Sequence, residues 1–207
     1  MNAFHFVLIG SFLLSSIGIV PRSHAQDELV ELVTGLLADP DKELRALAFN
    51  QIRKEAKGEA TTRKFAEMLP QLPTETQIGL LSALADRGDS AAAPSVRNLL
   101  AASPEETVRV AVIEALGALG GREDLDILLQ SMSTGSQPTR DAARAALIRL
   151  PADASSAMVA ELKESPVATR VALLEILTVR RAREAVPAML ETARDDDGTV
   201  REAATNA

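Results

Sequence analysis

Four stretches hold residues whose types and spacing could do chemistry. Asp195, Asp196 and Asp197 stand ahead of Gly198 and supply the carboxylate oxygens a Ca²⁺ site wants. Glu123 and Asp124, within REDLD (122–126), offer paired acids for proton transfer. Gly120–Gly121 is the type of dipeptide that lets a phosphate approach the backbone, and Arg180, Arg181 and Arg183 gather positive charge. None completes a motif. The aspartates lack the alternating D-x-D-x-D-G spacing, and no Lys-Ser/Thr follows the glycines. The expectation is therefore a solvated turn or helix cap for 194–202, a solvent-facing helix start for REDLD, and a solvated turn for the arginines.

The N-terminal segment narrows the chemistry further. FVLIGSFLLSSIGIV (6–20) is apolar and shorter than the ~20 residues of a spanning helix. Pro21 and Ser23-His24-Ala25 follow, with small residues placed for cleavage before Gln26. Residues 1–25 read as an export signal rather than a retained anchor, although MNAFH carries no Lys or Arg. Periplasmic or secreted location follows, with no stable membrane insertion after removal. Removal takes His5, His24 and Arg22, leaving 21 basic residues against 29 acidic ones, with no His, Cys, Trp or Tyr. That inventory rules out Ser-His-Asp and Cys-His catalysis in 26–207 and the usual zinc and haem sites. No cofactor or metal is expected. The net charge near −8 and the absence of stacking aromatics disfavour nucleic acid. A cysteine-free exported chain must be held by packing alone, which points to a bacterial envelope protein.

The elements that position these residues recur. TVRVAVIEALGALGG (107–121) returns as TRDAARAALIRL (139–150), TRVALLEILTVRR (169–181) and LRALAFNQI (44–52). Arg45, Gln77, Arg109, Arg140, Arg170 and Arg201 fall 32, 32, 31, 30 and 31 residues apart. Two positions on come Leu47, Gly79, Ala111, Ala142, Ala172 and Ala203. Seven positions on come Ile52, Leu84, Leu116, Leu147 and Leu177. Seven residues are two helical turns, so each repeat arginine and its aliphatic partner share one side of a first helix. Pro40, Pro73, Pro104 and Pro166 precede these helices; Asp39, Ser103 and Ser165 stand in N-cap position before three of them, and Ser103 with Glu106 has capping-box spacing. Pro94 and Pro187 open second helices. Met132, Met158 and Met189 on second helices read as core fillers. A two-helix unit of about 31 residues cannot bury its apolar face alone and must stack on its neighbours. A cation in a helix's first turn opposes the helix dipole. With Asp39, Asp41, Glu105, Glu106 and Asp195 to Asp197 close by, the arginines read as a ladder of Arg–carboxylate bonds between repeats, rather than a row gripping an anionic ligand.

AREAVPAMLETARDDDGTVREAA (182–204) and ALGALGGREDLDILLQSM (115–132) resemble the bacterial HEAT-like repeat first associated with phycobilin lyases, strongly over 104–207 and loosely over 59–102. The resemblance implies an all-α fold, a right-handed α-solenoid of stacked two-helix HEAT-like repeats, serving protein–protein contact. The expected organisation is a capping helix at 26–38, repeats at 39–72, 73–103, 104–135, 136–165 and 166–195, and a partial repeat at 196–207. With second helices lining the concave side, Glu123, Gln130, Glu161, Glu184 and Glu191 would form a mildly acidic face suited to a basic partner. The function expected is an exported, non-enzymatic scaffold. The alternative is the repeat arm or accessory subunit of a larger exported enzyme, or a bilin-lyase-like protein, with chemistry outside this chain. The last repeat lacks its second helix, so a longer parent chain is expected; bare solenoid ends would also favour self-association.

Overall fold

Helix boundaries follow from residues that cap or break the chain. The computed structural model describes residues 22–55 and 58–207, so the apolar run 6–20 and most of the expected export signal lie outside the described residues. Within them run α1 (Arg22–Leu37), α2 (Lys42–Lys54), α3 (Glu59–Glu67), α4 (Thr74–Arg87), α5 (Ala93–Ala102) and α6 (Glu106–Leu119). Next come α7 (Leu125–Thr134), α8 (Gln137–Arg149), α9 (Ala154–Glu164), α10 (Val167–Val179), α11 (Val186–Thr192) and α12 (Gly198–Asn206). No strand occurs among the described residues, and the fold is an all-α solenoid.

Even-numbered helices carry the repeat arginine frame, and odd-numbered helices are the second helices. Ile52, Leu84, Leu116, Leu147 and Leu177 are fully buried, each stabilising the stack by about 2 kcal/mol. The first helices stack in series, most closely along α4, α6 and α8. Each second helix from α5 to α11, and α1, packs closely on the first helix that follows it.

The Ser-Pro steps work differently from the sequence expectation. Ser103 and Ser165 are not N-caps: each ends the preceding helix, its N–H donating to Leu99 O or Glu161 O. Both are extended (φ −87°, ψ 124° and φ −74°, ψ 155°), the conformation proline imposes on the residue before it. The next helix therefore begins one or two residues beyond the proline, at Glu106 or Val167. Asp39 likewise yields the cap to Asp41, whose carboxylate accepts from Glu43 N at 2.8 Å, while Asp39 accepts from Asp41 N at 2.8 Å. Pro94 and Pro187 occupy the first turns of α5 and α11, where no N–H is needed.

The irregular second repeat has a packing reason. A Cβ on Gly79 would lie 2.3 Å from the Phe49 ring of α2, so the glycine on α4 makes room for that aromatic. In the same helix Gln77, standing where other repeats have arginine, donates to Leu69 O at 2.9 Å.

Candidate binding face

Four of the five repeat arginines clamp backbone carbonyls, and Arg170 holds a carboxylate instead. Arg45 Nη1 donates to Asp39 O and Pro40 O, both at 2.9 Å, and Arg109 Nη1 to Pro104 O at 2.8 Å. Arg140 Nη1 donates to Gly135 O at 2.6 Å, and Arg201 Nη1 to Asp195 O and Asp196 O at 2.7 and 2.9 Å. In each case the guanidinium folds back over the turn that precedes its own helix. Carboxylate partners occur at Arg45, which meets Glu75 of the next repeat at 3.3 Å, and at Arg170, which meets Asp195 at the end of its own repeat. The continuous Arg–carboxylate ladder is thus corrected. The turn carboxylates are occupied elsewhere: Asp197 caps α12 through Thr199 N and Val200 N, and Asp195 Oδ1 accepts from Asp197 N. The Asp195–Asp197 cluster is accordingly a helix cap with an Arg170 contact. No group of three or more His, Cys, Asp or Glu among the described residues is placed to hold a metal.

Two of the other stretches also differ from expectation. Asp124 is fully buried rather than solvent-facing; it accepts from Arg97 Nε at 2.5 Å and from Gly121 N at 3.0 Å. The Asp124 bond, then its charge and that of Glu123, hold the Arg97 pKa above its ordinary value against burial. Arg180 is not a solvated turn residue. It caps the end of α8, donating to Leu147 O, Ile148 O, Leu150 O and Pro151 O at 2.8–2.9 Å and to Ser155 Oγ at 3.0 and 3.2 Å. Arg87 does the same three repeats earlier, reaching Ile52 O at 2.8 Å and Thr62 Oγ1 at 2.7 Å. The hydroxyl partner lies 25 residues before the arginine in both cases, a recurrence readable in the sequence but overlooked there.

The predicted interaction residues all fall on second helices or the 3₁₀ turns leading into them. Gln130 is exposed on α7, Glu161 half-buried on α9 and Glu191 exposed on α11; Glu123 and Glu184 sit in the turns 122–124 and 183–185. Glu123 meets Arg97 at 3.6 Å, Glu191 meets Lys163 at 3.3 Å, and Glu161 accepts from Ser165 Oγ at 3.0 Å. Two of the four glutamates thus have cationic neighbours on the same face, and Arg97 is shared with the closer Asp124. Beside Gln130, α5, α6, α7 and the start of α8 enclose a half-open groove of about 440 Å³. Leu100, Ile113 and Ile127 line it with Arg109, Thr134 and Thr139.

Residues 62–148, which run from α3 into α8, match the family model described as HEAT repeats. These residues carry HEAT repeats. The match takes in much of 59–102, where the resemblance is loosest by sequence. No curated protein sequence matches the chain. Among solved structures, the chain is similar to an engineered protein (17% identity, 87% of this chain and 94% of that chain, TM-score 0.46). It is also similar to a designed armadillo repeat protein in complex with the peptide (KR)4 (14% identity, 86% and 97%, TM-score 0.44). A third is the complex of CpcE and CpcF of phycocyanin lyase from Nostoc (17% identity, 98% and 79%, TM-score 0.49).

Proposed function

We propose that this HEAT-repeat chain is an exported, non-enzymatic scaffold that binds a protein partner across its second helices. The observation that carries the reading is the second-helix face itself. Gln130, Glu161 and Glu191 sit on α7, α9 and α11, with Glu191 paired to Lys163 and with a half-open groove beside Gln130. A paired carboxylate such as Glu191 loses less on desolvation than an isolated one.

Photo-crosslinkers placed in the intact cell at Gln130 and Glu191 test this against crosslinkers on the first helices at Ala118 and Asp141, both exposed. Polypeptide adducts from the second-helix positions and not from the first-helix ones are expected. Equal capture from both faces, or none from the second helices, overturns the reading.

Export rests on the apolar run 6–20 and the small residues before Gln26. Mass spectrometry of the protein from the cell envelope should find a mature N-terminus at Gln26. A chain that retains residues 1–25 in the cytoplasm overturns it.

A further inference from the structure

Two repeat arginines show where a carboxylate belongs in this stack. Arg45 meets Glu75, thirty residues on, and Arg170 meets Asp195, twenty-five residues on. The same counts from Arg109 reach Thr139 and Thr134, neither of which carries a charge. Both threonines line the groove beside Arg109. The groove therefore lies where two sister repeats hold an internal carboxylate and this one has none.

The remaining chemistry of the groove fits that vacancy. Arg109 donates through Nη1 to Pro104 O, and its Nε and Nη2 have no partner among the described residues. Glu106, three residues earlier on α6, is held by the Ser136 hydroxyl, and among the described residues no ion pair joins it to Arg109. The Thr134 hydroxyl donates to Gln130 O, and the Ser131 hydroxyl to Ile127 O, so neither has a proton to offer a carboxylate and the guanidinium must supply the donors. Arg109 is thus the cation of the site, above the aliphatic surface of the half-buried Leu100 and Ile127, with Ile113 buried beneath.

We infer that this groove binds an acidic side chain of a partner polypeptide, flanked by an aliphatic residue. The carboxylate takes the free Nε and Nη2 donors of Arg109, where Glu75 and Asp195 each take one guanidinium nitrogen of Arg45 and Arg170, and the aliphatic neighbour covers the floor. The inference rests on the reading of the second-helix face as a protein-binding surface, with which the groove is continuous at Gln130.

The test is an NMR titration of the ¹⁵N-labelled mature chain with acetyl-Leu-Glu-Leu-amide and with acetyl-Leu-Gln-Leu-amide. Saturable shifts of the Arg109 Nε–H and the Gln130 side-chain amide are expected, with the glutamate peptide about tenfold tighter. Thr134→Asp supplies an internal carboxylate at the count Asp195 occupies, and should abolish that preference while leaving the fold and melting temperature intact. Arg109→Gln should remove it as well. Equal affinity for the two peptides, no saturable shift, or undiminished selectivity in folded T134D overturns the proposal. No natural partner is needed, so the groove can fail while crosslinking from Gln130 persists, and the reverse.

Discussion

Arg180 supplies the clearest single-residue test. Its guanidinium meets the carbonyls that end α8, where the helix dipole is negative and the last C=O groups lack helical partners. Burial lowers its pKa, and Glu184 and Asp153 act against that shift. Arg180→Ala should lower stability by about 2 kcal/mol, the scale of hydrogen bonds to a charged group, read from urea unfolding. Arg180→Lys should recover only part, because an ammonium cannot span four carbonyls. Full recovery by lysine would show that charge alone matters. Asp89 gives a pH-dependent counterpart. The Thr62 hydroxyl holds its carboxyl below the usual range against the effect of burial, with the Ala91 N–H and the charges of Arg87 and Arg63 adding to the depression. A depressed folded pKa contributes stability that is fully present above the unfolded value, near 3.9, and is lost as pH falls through the folded value. Melting temperature should therefore fall more steeply with acidification below about pH 4 in the wild type than in Asp89→Asn. Parallel slopes would remove Asp89 from the account.

Glycines decide how closely the helices approach. A Cβ on Gly117 would lie 2.7 Å from Ala146 Cα, a backbone atom that cannot swing aside, so α6 and α8 pack as tightly as they do because position 117 lacks a side chain. Gly117→Ala should destabilise the protein by about 1–3 kcal/mol despite alanine's better helix propensity. At Gly79 the obstacle is the Phe49 ring. Gly79→Ala should destabilise the wild type, yet be neutral or stabilising when Phe49 is already leucine. A double-mutant cycle with no coupling would refute the Phe49–Gly79 explanation. The helix count, the repeat frame and the buried +7 aliphatics were legible because each obeys a period. The exact helix starts were not, because a Ser-Pro step fits an N-cap or the end of the preceding helix equally well in sequence. The groove at Arg109 was hidden for a related reason. It arises from threonines at two positions where other repeats carry acids, and a search for the repeating residue passes over its exceptions. Leu44 and Leu47 make the converse point: both are exposed on α2, whereas the corresponding Val108 and Ala142 of interior helices are buried.

A solenoid has no single core, so its stability varies along the stack. The closest backbone packing runs through α4, α6 and α8, with Gly117 set against Ala146 at its centre. Beyond α8 the contact thins: α10 meets α8 over less backbone, and Arg144–Glu175 and the Arg180 clamp bridge the two helices. Arg144 and Glu175 are both substantially exposed, and a pair of that kind contributes only about 0–1 kcal/mol. The stack should therefore open first between α8 and α10, without unfolding α4 to α8. Native-state hydrogen exchange should show the slowest amides in α6 and α8 and faster exchange in α10 to α12. Arg180→Ala should widen that gap by speeding exchange in α10 to α12 while leaving α6 unchanged. Uniform acceleration across all helices would mean that the stack unfolds as one unit and that the α8–α10 junction is no weak point.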